Sequence, residues 1–98
     1  MHILTVLYGQ PDDPSAFDAH YQGTHAPLVD KIDGLKGWTY RKIDSMDGST
    51  PPYYLIAELS FDSLESLQSS MGSAEGQTAA NDVPNFASGG ATMLVAHD

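Results

Sequence analysis

Residues 17–32, FDAHYQGTHAPLVDKI, hold the side chains best suited to moving a proton. The apolar positions keep a helical beat through Phe17, Tyr21, Leu28 and Ile32, but the step from Tyr21 to Leu28 is seven. One member of the stripe is therefore missing, and helical spacing makes it Thr24 or His25. An imidazole at that place would feel two opposed influences. Burial lowers its pKa and a neighbouring carboxylate raises it, so a value near neutrality is within reach. Such a group suits proton abstraction next to a carbonyl. The same histidine could instead satisfy backbone groups freed where Pro27 interrupts the helix. Tyr21, one turn before His25, has a hydroxyl that could orient a substrate oxygen, although Tyr21 and Phe17 also suit a core.

Other chemistries find no support in the residue types. Cysteine is absent, which excludes disulfides, thiolate metal ligands and thiol nucleophiles. His20 is one residue out of step with His25 and no histidine pair has i,i+4 spacing, so no metal site is expected. His2 and His97 read as solvated ends. Neither GxGxxG nor GxxxxGK occurs, and no cofactor is expected. The formal net charge of −9 argues against nucleic acid as a partner. The four basic residues, Lys31, Lys36, Arg41 and Lys42, share one window and read as a solvated face balancing Asp30, Asp33 and Asp44. Glu58 is placed as a cross-strand partner for Lys42 or Arg41. No apolar run approaches the roughly 20 residues that span a bilayer, so no membrane partner is expected. MHILTVLYGQ lacks a basic region and a small-residue cleavage site, from which a cytoplasmic location is expected.

The elements that must position these residues fit one domain over 1–98, with a hydrophobic content of 41%. HILTVLY at 2–8 reads as a strand, followed by the turn-rich GQPDDP. Asp13 is a plausible N-cap with Pro14 in the first helical position. That helix runs to about Thr24. Ala26, preceding Pro27, is pushed out of the helical region, which predicts a kink or break at 24–26 and a second short helix to about Ile32. KGWTYRKIDS at 36–45 and YYLIAELSF at 53–61 are strands. Asp62 with Glu65 has capping-box spacing before a helix over 63–71. Gly72 breaks it, SAEGQTAANDV is a second helical segment, and ATMLVAH is the last strand.

The order β-α-β-β-α-β makes an α+β, ferredoxin-like fold, an antiparallel four-stranded sheet with helices on one face. The first strand sets His2, Leu4, Val6 and Tyr8 against Ile3, Thr5 and Leu7. The third sets Leu55, Ala57, Leu59 and Phe61 against Tyr54, Ile56 and Glu58. Both faces are therefore apolar while helices cover one, which predicts a homodimer packed sheet to sheet.

LTVLYGQPDDPSAFDAHY at 4–21, THAPL at 24–28, KIDGL at 31–35, PPYYLIAELSFDSLESLQ at 51–68, SAEGQ at 73–77 and NDVPNFASGG at 81–90 occur in order and span nearly the whole chain. In these stretches the chain resembles the EthD family of the dimeric α+β barrel superfamily. The resemblance implies a ferredoxin-like protomer and a homodimeric barrel. Related barrels include isomerases and polyketide cyclases that use histidines without a cofactor, in a pocket between helices and sheet. By this resemblance His25 is the candidate acid/base, with Phe17, Tyr21 and Trp38 shaping the pocket. Trp38 could equally fill the dimer interface. Glu75 stands near the place where a related plant cyclase carries a catalytic histidine; an acid in a first helical turn also suits the helix dipole.

The function so implied is a small cofactor-independent enzyme of isomerase, cyclase or lyase type, acting on a hydrophobic or aromatic carbonyl compound in xenobiotic degradation or secondary metabolism. The alternatives are a non-catalytic protein that holds such a molecule for an oxygenase, or a cofactor-free monooxygenase. A second titratable group within hydrogen-bond reach of His25 separates enzyme from carrier.

Overall fold

The computed structural model describes residues 1–98. The elements follow in the order β1 (His2–Gly9), α1 (Pro14–His20), a π-helical turn (Tyr21–His25), α2 (Ala26–Asp30), β2 (Gly37–Lys42), β3 (Tyr53–Phe61), α3 (Leu64–Gly72), α4 (Ala74–Asp82), a 3-10 turn (Val83–Asn85) and β4 (Ala91–His97). The four strands form one sheet in the order β2-β3-β1-β4, and every neighbouring pair is antiparallel. Leu4, Val6 and Tyr8 of β1 face the helices with Leu55, Ala57, Leu59 and Phe61 of β3, and all seven are buried. That alternation matches the period-two pattern of the sequence.

The kink or break expected at 24–26 takes the form of a widened turn that does not interrupt the helical path. Ala26 is helical (φ −57°, ψ −43°), and its N–H donates to the Tyr21 carbonyl five residues back. The chain takes in Pro27 by widening one turn, since a π turn moves the proline ring off the carbonyl it would meet in an α-helix. The same extra residue spaces the buried positions four apart, Phe17, Tyr21, His25 and Val29, and leaves Leu28 half-buried. His25, not Thr24, is the buried member of the stripe, and it sits inside a continuous helical path, not at a terminus.

Three further expectations change. α3 is capped by Ser63, whose hydroxyl accepts from Ser66 N–H at 3.0 Å, so the Asp62 capping box is not used. β2 is shorter than expected and ends at Lys42. Tyr54, which alternation assigns to the open face, meets Phe17 edge-on with ring centroids 5.1 Å apart. The β1–β3 register shifts between Tyr8 and Gly9, opposite this end of β3. Asp13 does cap α1, accepting from Ala16 N–H at 3.2 Å ahead of Pro14.

α4 starts directly against the end of α3. A side chain at Gly76 would run into the backbone of Ser70 and Met71, so only glycine allows this approach. The close start sends α4 across the sheet and brings its last residue, Asp82, beside the π turn. No helix is long and apolar enough to cross a membrane.

Candidate functional site

The site is built around an acid at a place where a helix does not favour one. Asp82 ends α4, where the macrodipole is negative and an anion is destabilised. Its residue is 7% exposed. Three donors offset that cost. His25 Nδ1–H donates to Oδ2 at 3.0 Å, His20 Nε2–H donates to Oδ1 at 2.9 Å and to Oδ2 at 3.0 Å, and Asn85 Nδ2 donates to Oδ1 at 3.1 Å. Burial works to raise the Asp82 carboxyl, but the hydrogen bonds from Asn85, His20 and His25 together outweigh it and hold the group below its ordinary value.

His20 was expected to be out of step with His25. In the π turn the hydrogen bond spans five residues instead of four, so side chains five apart come round to one side. The two histidines meet the same carboxylate for that reason.

His25 is 4% exposed, packed on Phe86 and Tyr21 with ring centroids at 4.7 Å and 5.1 Å. Burial lowers its pKa, against the opposing pull of Asp82. The imidazole is thus neutral near pH 7. With Nδ1–H committed to Asp82, the lone pair lies on Nε2. The buried side-chain polar atoms without a hydrogen bond are His2 Nδ1 and Tyr21 Oη. His25 Nε2 is not sealed in this way, although it has no hydrogen-bond partner.

The space beside it is a cavity of about 30 Å³, lined almost wholly by apolar groups between the sheet and α2, α3 and α4. Tyr8, Tyr21 and His25 form its polar end. Val6, Leu59, Met71 and Met93 are among its apolar walls. Burial pushes the Tyr8 phenol up to about 12, with the Tyr21 hydroxyl opposing the rise. Burial raises Tyr21 as well, helped by its neighbour Tyr8. Both are neutral donors at any physiological pH. The Tyr21 hydroxyl is buried without a well-formed hydrogen bond, its one near partner being the Tyr8 phenol whose rise it opposes. Leaving such a group unpaired costs roughly 1–3 kcal/mol.

Tyr21 and Phe17 stack at 5.7 Å, and Phe86 meets both edge-on at 5.5 Å and 5.1 Å. Aromatic contacts of this kind contribute about 0.5–1.5 kcal/mol each beyond area burial. They hold Tyr21 and His25 in place from behind.

Of the expected site residues, the structure brings together His25 and Tyr21, with Phe17 behind them. Trp38 does not reach the cavity: its Nε1–H donates to Asp30 at 2.8 Å and its ring stacks on Tyr40 at 5.4 Å. Glu75 is exposed in the first turn of α4 and borders a shallow groove with Lys31 and Thr78. Asp82, Asn85, His20, Tyr8 and Phe86 were not anticipated. The legible signal was Asp82 itself, an acid placed just before Val83-Pro84 at the unfavourable end of a helix. The basic residues find partners other than those expected: Lys36 pairs with Asp62 at 3.4 Å and Lys42 with Asp18 at 3.0 Å. Arg41 lies 3.8 Å from Glu58, as cross-strand pairing suggested.

A ferredoxin-like sheet with a histidine and carboxylate under its helix layer defines an α+β protein with a small internal site. The chain belongs to the EthD family: the EthD domain model matches residues 10–90. It is 48% identical over 94 residues to an 11.0 kDa protein from the thcB–thcC intergenic region of Rhodococcus erythropolis, covering 96% of this chain and 91% of that one. It superposes on the crystal structure of an ethyl tert-butyl ether (EthD) family protein from Bacillus halodurans with a TM-score of 0.94 and 39% identity, covering 100% of this chain and 98% of the other. A dimeric ferredoxin-like protein from Jannaschia sp. shares the fold at a TM-score of 0.74 and 11% identity, both chains covered in full.

Proposed function

We propose that the protein is a cofactor-independent acid/base enzyme acting on a small hydrophobic or aromatic carbonyl compound. One observation carries the reading. His25 lines an apolar cavity while Asp82 holds its Nδ1–H, which leaves Nε2 free, and Tyr21, whose hydroxyl makes no well-formed hydrogen bond, lines the same cavity. The ligand carbonyl accepts from Tyr21, which polarises it. His25 Nε2 then takes a proton from the adjacent carbon, and the imidazolium formed is stabilised by Asp82. Returned to another carbon, the proton completes an isomerisation; given to the oxygen of a second carbonyl that the enolate carbon has attacked, it completes a ring closure; given to a departing β-substituent, it completes an elimination. Asp82 is the second titratable group within hydrogen-bond reach that favours an enzyme over a carrier.

The cavity holds about one water molecule as it stands. A substrate enters by displacing Met71 and Met93, whose unbranched side chains adapt at low cost. The working unit on this reading is a homodimer in the cytoplasm. The sheet face opposite the helices carries Ile3, Leu7, Ile56 and Leu94 with no layer of its own over them, and β4 is exposed along its whole length. Light scattering should give twice the 10.5 kDa chain mass, and a stable folded monomer contradicts the dimer.

Acetophenone in D₂O is a direct probe of the chemistry, read by NMR as deuterium entering its methyl group. The protein should accelerate exchange, and His25→Gln should slow it at least tenfold. Exchange undiminished in His25→Gln overturns the assignment of the base. Binding of the ketone without any exchange supports the second reading, a carrier for a partner oxygenase, which the largely apolar lining favours.

A further inference from the structure

The carboxylate that holds His25 is shared. Oδ2 of Asp82 accepts from both rings, from His25 Nδ1 at 3.0 Å and from His20 Nε2 at 3.0 Å. The two histidines differ in surroundings. The His25 side chain is 5% exposed and faces the cavity, whereas the His20 side chain is 28% exposed. His20 lies against Phe86 with ring centroids 5.3 Å apart and borders a surface groove with Asp12, Asp13, Asn85 and Ser88. Its Nδ1 has no hydrogen bond and is not among the sealed polar atoms. One buried anion thus faces two imidazoles, one opening inward and one outward.

We infer that His20 is a positioning residue whose charge balances that of His25 across Asp82, so that a proton gained by His25 inside is matched by a proton lost from His20 to the groove. The inference rests on the acid/base reading of His25. Neither ring passes its Asp82-bound proton on. The inferred exchange starts from a His20 that carries both Nε2–H, on Asp82, and Nδ1–H, and from a neutral His25. His25 Nε2 then gains the ligand's proton while His20 Nδ1 gives one to water. The pair with Asp82 carries the same net charge before and after, so the buried site never holds two cations against one anion. Coulomb repulsion between two imidazoliums on one oxygen supplies the coupling. The other groups facing this cluster are neutral: Tyr21 and Phe86 against His25, Asn85 against Asp82, with Tyr8 and Tyr40 beyond Tyr21. Asp12 and Asp13 border the His20 groove and are the charged groups on its outer side.

The test needs no substrate. Long-range ¹⁵N–¹H spectra of the full-length protein, titrated between pH 8 and 4, follow both rings separately. In the unmodified protein the His25 signals should show an inflection at the His20 midpoint. In His20→Gln, whose amide can still donate to Asp82 but never carries charge, His25 should bind protons about tenfold more tightly. A His25 midpoint unchanged or lowered in His20→Gln overturns the inference. Should that variant fail to fold, the absence of the second inflection in the unmodified protein does the same. These spectra contain no ligand, so their failure is separate from failure of the carbonyl reading, which the exchange of acetophenone decides.

Discussion

Two pairs of histidines show what surroundings do to one side chain. His2 and His97 are opposite each other on β1 and β4 and stack with centroids 4.9 Å apart. No carboxylate accepts from either ring. His97 bonds only the Asp98 carbonyl, and His2 Nδ1 is buried without a partner. His20 and His25 are held by Asp82 at three short distances and sit over an aromatic floor. The first pair was expected to be solvated, and stacking replaces solvent on the inner ring. The spacing puts the second pair one residue out of step on a regular helix, and a single widened turn brings both rings to one carboxylate. Position in sequence decides neither case; the presence of a buried acid does.

The largest effect should come from removing that acid. Asp82→Ala leaves His25, His20 and Asn85 without their acceptor, and urea unfolding should show a loss of about 2–4 kcal/mol. A loss below about 0.5 kcal/mol would mean that the cluster is not formed. His25→Leu keeps the volume and leaves Asp82 with His20 and Asn85, so a smaller loss of about 1–2 kcal/mol is expected by the same measurement. Loss larger than that of Asp82→Ala would reverse the ranking of the two residues.

Acid should act on the two pairs unequally. The His25 pKa lies below its ordinary 6.5 in the folded chain, so the unfolded chain binds more protons just below that pH. Stability from this group is complete above about 6.5 and is lost as pH falls through the lowered value. Asp82 is held below 3.8, so its contribution is complete above that pH and lost on further acidification. Melting temperature should therefore fall in two stages between pH 7 and 2. His25→Leu should abolish the first stage and His97→Ala should leave it intact. A first stage that survives His25→Leu assigns it to another group.

Tyr21→Phe removes a buried hydroxyl that makes no well-formed hydrogen bond and only stands near the Tyr8 phenol. The expected change is a gain of up to about 1 kcal/mol in thermal unfolding, together with weaker binding of acetophenone. Destabilisation by that change would reveal a partner for the hydroxyl within the protein. The smallest effect belongs to His97→Ala, an exposed end residue, within about 0.5 kcal/mol of the parent.

The sheet was legible because strand alternation survives tertiary context: YYLIAELSF at 53–61 is β3 residue for residue, and Asp13-Pro14 opens α1 as its chemistry requires. His25 was legible from a gap in a stripe. The π turn was not, since proline after alanine argues for a break, and only packing over Phe86 and the sheet shows that the helix continues. The partner acid was hidden for a different reason. Asp82 lies 57 residues from His25, and no local spacing rule connects them. Trp38 and Glu75 were drawn in by residue type and resemblance, and neither lines the cavity.

The central claim is that Asp82 fixes His25 as a neutral base facing the cavity. The most direct measurement is the tautomer of His25 at pH 7 in a long-range ¹⁵N–¹H spectrum of the unmodified protein. The account predicts a proton on Nδ1, a bare Nε2, and loss of that preference in Asp82→Asn. A proton on Nε2 instead, or an imidazolium at pH 7, would contradict it.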